Sequence, residues 1–239
     1  MRKMIIAATG DVHSPRFFAD FVKAVDELMV RPDLMFLLGD MIERGHLEEY
    51  DKIYNTLFGK INCPIVACFG NNEYQDIREE IKLRYKEIKF LDDEATILQI
   101  GNLKVGVVGT TGSLDEPTRW QKANVPNIEN LFKARVTIVD NLLNRMKTNI
   151  SILLIHYAPT YKILEGENPN FYKNLGSIAY EQVLINRRPT LVLTGHSHKG
   201  SKMVWVDTVP IYNVALPLNK QIVVIDTEKD LRPGITRFI

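Results

Sequence analysis

Five short polar clusters follow directly after apolar runs of strand length. Aspartate, asparagine and histidine dominate them, and they contain four of the five histidines of the sequence. Ligands of open α/β sheets collect beyond the carboxyl ends of the strands, so a chain built this way is expected to bring these side chains together at one sheet edge. The clusters are Asp11-Val12-His13, Gly39-Asp40, Gly70-Asn71-Asn72-Glu73, His156 and Gly195-His196-Ser197-His198.

The types and spacing of these residues favour a metal site. Asp11 and His13 differ by two positions, as do His196 and His198, so both members of each pair can point the same way from an extended segment. Imidazole and carboxylate ligands together suit manganese, iron, zinc, nickel or cobalt better than calcium or magnesium. Taken alone, Asp11 would be explained more simply as a helix cap, and His156 as a structural histidine. The combination predicts a metal site.

Apolar runs of strand length alternate with helical patterns in the first part of the chain. This alternation predicts an α/β fold with parallel strands in a mixed sheet. The predicted strands are 3–9, 34–38 and 64–69, and the predicted helices are 17–30, 47–58 and 77–85.

The rest of the chain has a different pattern. Residues 95–100 and 103–108 flank Gly101-Asn102 and predict a hairpin. Ser177 is the expected N-cap of a helix over 177–186. The other predicted elements are a helix at 128–146, strands at 150–155 and 191–194, and closing antiparallel strands at 203–206, 209–214 and 221–225.

Two long stretches, 111–127 and 157–176, lack a regular pattern. Long loops in a compact domain are often functional. Several of their side chains could stack on a base or hold a second phosphate substituent, although ordinary surface positions would explain them as well. These residues are Arg119, Trp120, Tyr161, Lys162, Tyr172 and Lys173.

Composition excludes several classes of protein. The 239 residues carry a formal net charge of +1, so nucleic acid, which needs a concentrated basic surface, is not an expected partner. No apolar run approaches the roughly 20 residues of a membrane span. Cys63 and Cys68 are expected to be free thiols, because their odd spacing on a strand points them to opposite faces. We therefore expect a cytoplasmic protein, and a homo-oligomer is compatible with this sequence.

In their order along the chain, the clusters resemble the D-x-H, G-D, G-N-x-[D/E], H and G-H-x-H motifs of the calcineurin-like metallophosphoesterases. The resemblance covers nearly the whole chain and implies a four-layer α/β/β/α sandwich, in which two mixed β-sheets are flanked by helices. No repeat, low-complexity tract or linker interrupts the sequence. Residues 1–239 are therefore expected to form a single metallophosphoesterase domain.

The resemblance also implies a pair of divalent metal ions, for which manganese is the expected identity. Two neighbouring cations repel each other, so a shared carboxylate is needed between them, and a bridging hydroxide would attack phosphorus in line. The implied ligands are Asp11, His13 and His198 for the first ion, Asn71, His156 and His196 for the second, and Asp40 for both.

One position departs from the family pattern. Most catalytic members have a histidine after the metal-binding asparagine, where it donates a proton to the leaving group, whereas this chain has Asn72. Asparagine donates hydrogen bonds but cannot supply a proton at useful pH. General acid catalysis is typically worth about 10²–10⁴-fold, so its loss should affect poor leaving groups most.

Two residues near this position could compensate. Segment 39–45 resembles the G-D-x-x-D-R-G segment of phosphoprotein phosphatases, with Glu43 in place of an aspartate. By that resemblance Arg44 would contact phosphate, although it could equally be a solvated loop residue. His46 is hypothesised to lie near the leaving group, the alternative being an exposed loop histidine. Glu73, with no histidine to orient, is expected to cap the next helix.

These features together predict a metal-dependent phosphoesterase. A phosphodiesterase acting on a small or nucleotide-like phosphoester is favoured, since the leaving groups of activated or cyclic diesters need less protonation. One alternative is a weakly active or inactive scaffold or binding protein on the same fold. The retromer scaffold subunit is a superfamily member of this kind. The other is a nuclease, although such relatives usually carry the missing histidine and a longer chain with a capping domain.

Overall fold

The computed structural model describes residues 4–231 of the chain. Its strands mostly alternate with helices, as the apolar pattern predicts. The strands are β1 (Ile5–Thr9), β2 (Leu34–Leu38), β3 (Ile65–Cys68), β4 (Ile88–Leu91), β5 (Glu94–Ile100), β6 (Leu103–Thr110), β7 (Ile150–Ile155), β8 (Leu191–Thr194), β9 (Met203–Val206), β10 (Val209–Asn213) and β11 (Val223–Asp226). The helices are α1 (Phe18–Asp26), α2 (Glu49–Leu57), α3 (Arg78–Arg84), α4 (Arg119–Asn124), α5 (Ile128–Arg145), α6 (Ala179–Arg187) and α7 (Leu216–Asn219).

The strands form two mixed sheets. The first has the order β11-β1-β2-β3-β4, and the second has the order β5-β6-β7-β8-β10-β9. Neighbours from β1 to β4 are parallel, as are β6, β7, β8 and β10, while β11, β5 and β9 pair antiparallel at the edges. All five residues of β2 are buried, because a strand in the middle of such a sheet is covered on both faces.

Alternate residues of β2 show how four layers arise. Phe36 and Leu38 face the second sheet and pack with Ile152 and Leu154 of β7 in the core between the sheets. Met35 and Leu37 face the other way, into a core shared with α1, α2 and α3. A third core joins the outer face of the second sheet to α5 and α6. The predicted four-layer α/β/β/α sandwich is therefore confirmed.

The hairpin prediction is confirmed, but the prediction of closing antiparallel strands is wrong in part. Strands β5 and β6 pair antiparallel across Gly101-Asn102. Strands β9 and β10 are antiparallel to each other, whereas β10 lies parallel to β8. Strand β11 leaves that sheet and pairs with β1 of the other. Apolar runs identify strands, but they carry no information about which neighbour a strand will find.

One short strand and two short α-helices have no counterpart in the predictions. Strand β4 has an exposed Lys89 among buried residues and is only four residues long, too short for a clear alternation. Helix α4 buries no side chain and so has no apolar stripe; a capping box between Thr118 and Gln121 fixes its start. Helix α7 is a single turn with proline at its start.

Several predicted boundaries shift in the structure. Helix α6 begins at Ala179 with Ile178 in the cap position, so Ser177 is not the N-cap, although its hydroxyl accepts a hydrogen bond from the Ala179 amide at 3.2 Å. Helices α1 and α2 are shorter than predicted at 17–30 and 47–58. The predicted start of the first strand at Lys3 lies outside the described residues.

Both cysteines are free, as predicted, with Cys68 buried and Cys63 partly so. Within residues 4–231, none of the helices combines the length and the hydropathy that a membrane crossing requires.

Candidate metal centre

The carboxyl ends of strands from both sheets converge on one cluster of polar side chains. Two groups of three residues each place one potential ligand atom from every member within 4.8 Å of the others. The first group follows β1 and β8, and the second follows β2, β7 and β8. Their members are Asp11, His13 and His198 in the first group, and Asp40, His156 and His196 in the second.

Asp40 belongs to the second group and also lies close to the first. Its Oδ2 atom is 3.6 Å from Nε2 of His13 and 3.5 Å from Nε2 of His156. The amide oxygen of Asn71 is 3.2 Å from the same Nε2 atom of His156. The structure thus brings all seven residues of the expected ligand set into one cluster, with the expected shared acid in the middle.

The backbone that carries these side chains is strained. Asp11, His13, Asp40 and His196 have φ angles of 57°, 44°, 49° and 66°, in the left-handed region that side-chain-bearing residues rarely adopt. Each such residue costs of order 1–3 kcal/mol and persists only when its surroundings hold it there. The His196 amide donates to both carboxylate oxygens of Asp11 at 3.0 Å, which is one such restraint.

Two glycines allow the carboxylates to approach the backbone closely. A Cβ atom on Gly70 would lie 2.2 Å from Oδ1 of Asp40, and one on Gly195 would lie 2.4 Å from Oδ2 of Asp11. Any side chain at these positions would displace the two acids. The glycines that precede Asn71 and His196 are therefore needed for the geometry of the cluster.

The hydrogen bonding of His156 indicates that the cluster is built for a cation. Its Nδ1 atom lies 2.7 Å from the carbonyl oxygen of Leu38 and must donate to it. In the neutral ring, Nε2 then carries a lone pair, yet it faces oxygen atoms of Asp40 and Asn71. Lone pairs that converge in this way repel one another unless a proton or a metal ion lies among them. The donor set thus fits a divalent metal ion.

The ring of His13 gives a second indication. Both of its nitrogen atoms are buried without a hydrogen-bond partner that satisfies distance and angle criteria. Nδ1 nevertheless lies 3.0 Å from Oε2 of Glu43. A carboxylate at that nitrogen would orient the ring and direct Nε2 toward a metal ion, as such carboxylates do in many metal sites.

Electrostatics inside the cluster are strongly coupled. Burial alone would raise the pKa of Asp40, but the charge and hydrogen bond of His156, together with the charges of His13 and His196, outweigh burial and hold that pKa well below its usual range. Burial likewise opposes the charged form of His156, yet Asp40 raises the pKa of His156 to about 9. Burial and then repulsion by His156 lower the pKa of His196 to about 3.

Asn72 is held in place by hydrogen bonds from both ends of its side chain. Its Nδ2 atom donates to Oδ2 of Asp40 at 2.7 Å, and its backbone amide donates to Oδ1 of Asp40 at 2.7 Å. Its Oδ1 atom accepts from the Arg44 amide at 3.0 Å. In this arrangement Asn72 fixes Asp40 and the segment after it, and its amide nitrogen points at the acid.

Glu73 does not cap α3, and that prediction is wrong. The helix begins at Arg78, with Ile77 in the cap position. The buried Glu73 carboxylate instead accepts from four backbone amides, at 2.8 Å from Asp40, 2.7 Å from Met41, 3.3 Å from Ile42 and 2.8 Å from Gly70. Burial and the nearby Asp40 raise the pKa of Glu73, while these amides oppose the rise.

Two further acids support the cluster and were not predicted from the sequence. One is Glu43, which the sequence indicates only as a variant of a family aspartate. The other is Glu167, whose Oε1 atom accepts from the Ser197 hydroxyl at 3.0 Å and the Lys199 amide at 2.9 Å. The position of Glu43 could have indicated its role, since it follows Asp40 by three residues. The position of Glu167 gave no such indication, because it reaches the cluster from the second long loop.

A cleft of ≈ 380 Å³ opens beside the second group of residues. Arg44, Asn71, Asn72 and His196 line its inner side. His46 is exposed, lies beyond the residues that line this cleft and influences Glu49 electrostatically. The proposed role of His46 near the leaving group stays a prediction.

The two long stretches contribute unequally to the cleft. From the first, Leu114, Thr118, Trp120 and Gln121 line it, and from the second, Tyr157 and Asn174 do. The other residues singled out there, Arg119, Tyr161, Lys162, Tyr172 and Lys173, are not among its lining side chains.

Comparison with known proteins agrees with this geometry. The family model for calcineurin-like phosphoesterases matches residues 4–200. A probable glycerophosphodiester phosphodiesterase (GpdQ) from Arcobacter nitrofigilis is 23% identical over 225 residues, which is 88% of this chain and 74% of that protein.

Solved structures share the fold at low sequence identity. The phosphopantetheinyl hydrolase (PptH) from Mycobacterium tuberculosis aligns with a TM-score of 0.70 and 13% identity, covering 96% of this chain and 98% of its own. The protein TT1561 of Thermus thermophilus aligns with a TM-score of 0.57 and 18% identity, covering 94% of this chain and 99% of its own. At these identities the likeness concerns the fold alone.

Proposed function

The chain belongs to the calcineurin-like phosphoesterases, and we propose that it is a metal-dependent phosphodiesterase for small or nucleotide-like diesters. The observation that carries this proposal is the pair of three-residue groups joined by Asp40. The name of the Arcobacter nitrofigilis relative, a probable diesterase, supports the choice of ester.

The proposed metal ligands are the members of the two groups together with Asn71. When bound, two divalent ions would supply a nucleophile from water near neutral pH and neutralise charge on the phosphate oxygens. Manganese is the proposed identity, with iron, zinc, nickel or cobalt as alternatives of similar ligand preference. The proposed ligands are Asp11, His13 and His198 on one side, Asn71, His156 and His196 on the other, and Asp40 shared by both.

The residues around the cleft favour a diester over a monoester. Apart from the proposed ligand His196, the described residues lining the cleft include no histidine and no carboxylic acid that could protonate a leaving group. Asn72 is committed to Asp40 and the Arg44 amide. Arg44 is the one lysine or arginine among the described lining residues. Its single positive charge suits the single negative charge of a diester better than the two negative charges of a monoester.

Substrate preference tests this proposal. With manganese added, we expect the protein to hydrolyse bis(p-nitrophenyl) phosphate with a higher kcat/KM than p-nitrophenyl phosphate. Both substrates release the same leaving group, so the ratio of the two values reports the effect of the ester class alone. Initial rates at matched metal concentration measure the ratio. Equal rates or a preference for the monoester would contradict the choice of diester, and no turnover of either would favour the binding-protein alternative.

Metal binding is expected to release protons. Because Asp40 raises the pKa of His156 to about 9, His156 holds a proton below that pH in the metal-free protein. A metal ion needs the unprotonated Nε2 atom and must displace this proton, so metal affinity should fall as the pH drops below about 9. The ionised Asp40 and the neutral His196 contribute no further proton.

Calorimetric titration in buffers of different ionisation enthalpy measures this release. At about pH 8 we expect the first metal equivalents to release roughly one proton more than they release above about pH 10, where His156 no longer holds one, since a proton lost by metal-bound water appears at both pH values. A metal affinity that does not change between these pH values would contradict the proposed contact between His156 and a metal ion.

A further inference from the structure

The cleft beside the candidate metal centre continues into a larger groove of ≈ 780 Å³. The two cavities share five lining residues, so a molecule bound near the metals could extend from one into the other. Two of these residues are exposed aromatics, from the loop after β3 and from α4. The shared residues are Asn71, Tyr74, Trp120, Gln121 and Tyr157.

We propose that Trp120, together with Tyr74, binds the planar base of a nucleotide-like phosphodiester. This inference rests on the proposed function and narrows its substrate class to diesters that carry a heteroaromatic base. Diesters of glycerol or other base-free alcohols lack a group that these rings could stack on, so they would gain nothing from this subsite.

The geometry of the two rings suits a planar ligand. Their planes differ by 19° and their centroids are 6.2 Å apart. Trp120 is 60% exposed and Tyr74 is 38% exposed, so both offer accessible ring surface beside the site of hydrolysis. Every nucleobase has a π-face that stacks on such side chains.

Neutral polar groups accompany the aromatic pair. Thr118, Gln121 and Asn174 line the cleft, and amide and hydroxyl groups match the donors and acceptors along the edge of a base. Gln121 is oriented by its bond from Nε2 to the Tyr157 hydroxyl at 3.0 Å and by accepting from the Thr118 amide at 2.9 Å. Arg44 supplies positive charge at the phosphate side of the same cleft.

Helix α4 has no evident role in the cores of the protein. None of its residues is buried, and its start depends on the local capping box at Thr118. Besides the pairing of Lys122 with Glu116, two contacts connect its side chains to the rest of the fold, Trp120 with Tyr74 and Gln121 with Tyr157. Both contacts lie at the junction of the two cavities, which is where a ligand would use them.

A Trp120→Ala variant tests the subsite by its effect on two diesters. We expect kcat/KM for 3′,5′-cyclic AMP to fall by about 10-fold, mainly through KM, which is the size that base stacking contributes. Hydrolysis of glycerophosphocholine should change less than about two-fold. The control is Phe171→Ala, which removes an aromatic side chain that is 56% exposed and lines neither cavity. Equal effects on both diesters, or no effect on either, would overturn the inference.

A binding measurement separates this inference from the proposed function. The chain has two tryptophans, so Trp205→Phe leaves Trp120 as the sole indole reporter. With zinc present, we expect AMP to quench its fluorescence and glycerol 3-phosphate not to. Quenching without hydrolysis of any diester would support the base subsite and contradict the proposed function. Diester hydrolysis with the same fluorescence change for AMP and glycerol 3-phosphate would support the proposed function and contradict the base subsite.

Discussion

An Asp40→Asn variant is expected to lose turnover of bis(p-nitrophenyl) phosphate by about 10³-fold or more. Asp40 is the acid that lies within 4 Å of a histidine from each candidate metal group. Its amide replacement removes the negative charge that would offset two neighbouring cations, and metal ions contribute several kcal/mol of transition-state stabilisation in such sites. We therefore expect the variant to retain fewer metal ions as well, by elemental analysis after dialysis.

The matched control for this variant is Asp140→Asn. Asp140 lies on α5 and pairs with Arg187 on the outer face of the fold, far along the chain from the candidate centre. The same chemical change there should leave kcat/KM and metal content within about two-fold of the wild type. If Asp40→Asn behaved like this control, the shared-acid assignment would be wrong.

A Glu73→Ala variant is expected to lower the free energy of unfolding by roughly 3–5 kcal/mol. The change leaves four backbone amides, those of Gly70 and residues 40–42, without their acceptor. Buried donors that lose a partner cost about 1–3 kcal/mol each, and partial relaxation reduces the sum. Urea unfolding measures the loss as a lower midpoint concentration, provided that the dependence of the unfolding free energy on urea concentration is the same in both proteins.

Two further variants sharpen this stability test. Glu73→Gln keeps one acceptor oxygen but presents an NH₂ group to the same amides, so we expect an intermediate loss. Glu79→Ala removes a carboxylate from the exposed face of α3, where it pairs with Lys82. That variant should stay within about 0.5 kcal/mol of the wild type. A Glu73→Ala protein as stable as Glu79→Ala would show that the hydrogen bonds from the four backbone amides to Glu73 do not stabilise the fold.

The sequence predicted the fold class and the place of the polar cluster because both depend on local signals. Apolar runs such as 34–38 and 150–155 are buried strands, and Asp40 and His156 follow them directly. Parallel strands place their carboxyl ends at the same edge, so residues far apart in sequence could be expected to meet there.

What the sequence could not predict depends on contacts between distant segments. Glu73 follows Gly70-Asn71-Asn72, where helix capping was the local expectation, and only the fold places its carboxylate against residues 40–42. Strand β11 could have extended either sheet, and pairing with β1 is decided by tertiary packing. Helix α4 has no buried face, so its position beside the cleft left no trace in the apolar pattern.

We expect this cluster to hold two metal ions around Asp40, and anomalous diffraction from crystals soaked in manganese tests this arrangement most directly. We expect two anomalous peaks, one among the side chains of Asp11, His13 and His198 and the other among those of His156, His196 and Asn71, with Asp40 in contact with both. A cluster without any peak, or with a single peak that Asp40 does not touch, would contradict it.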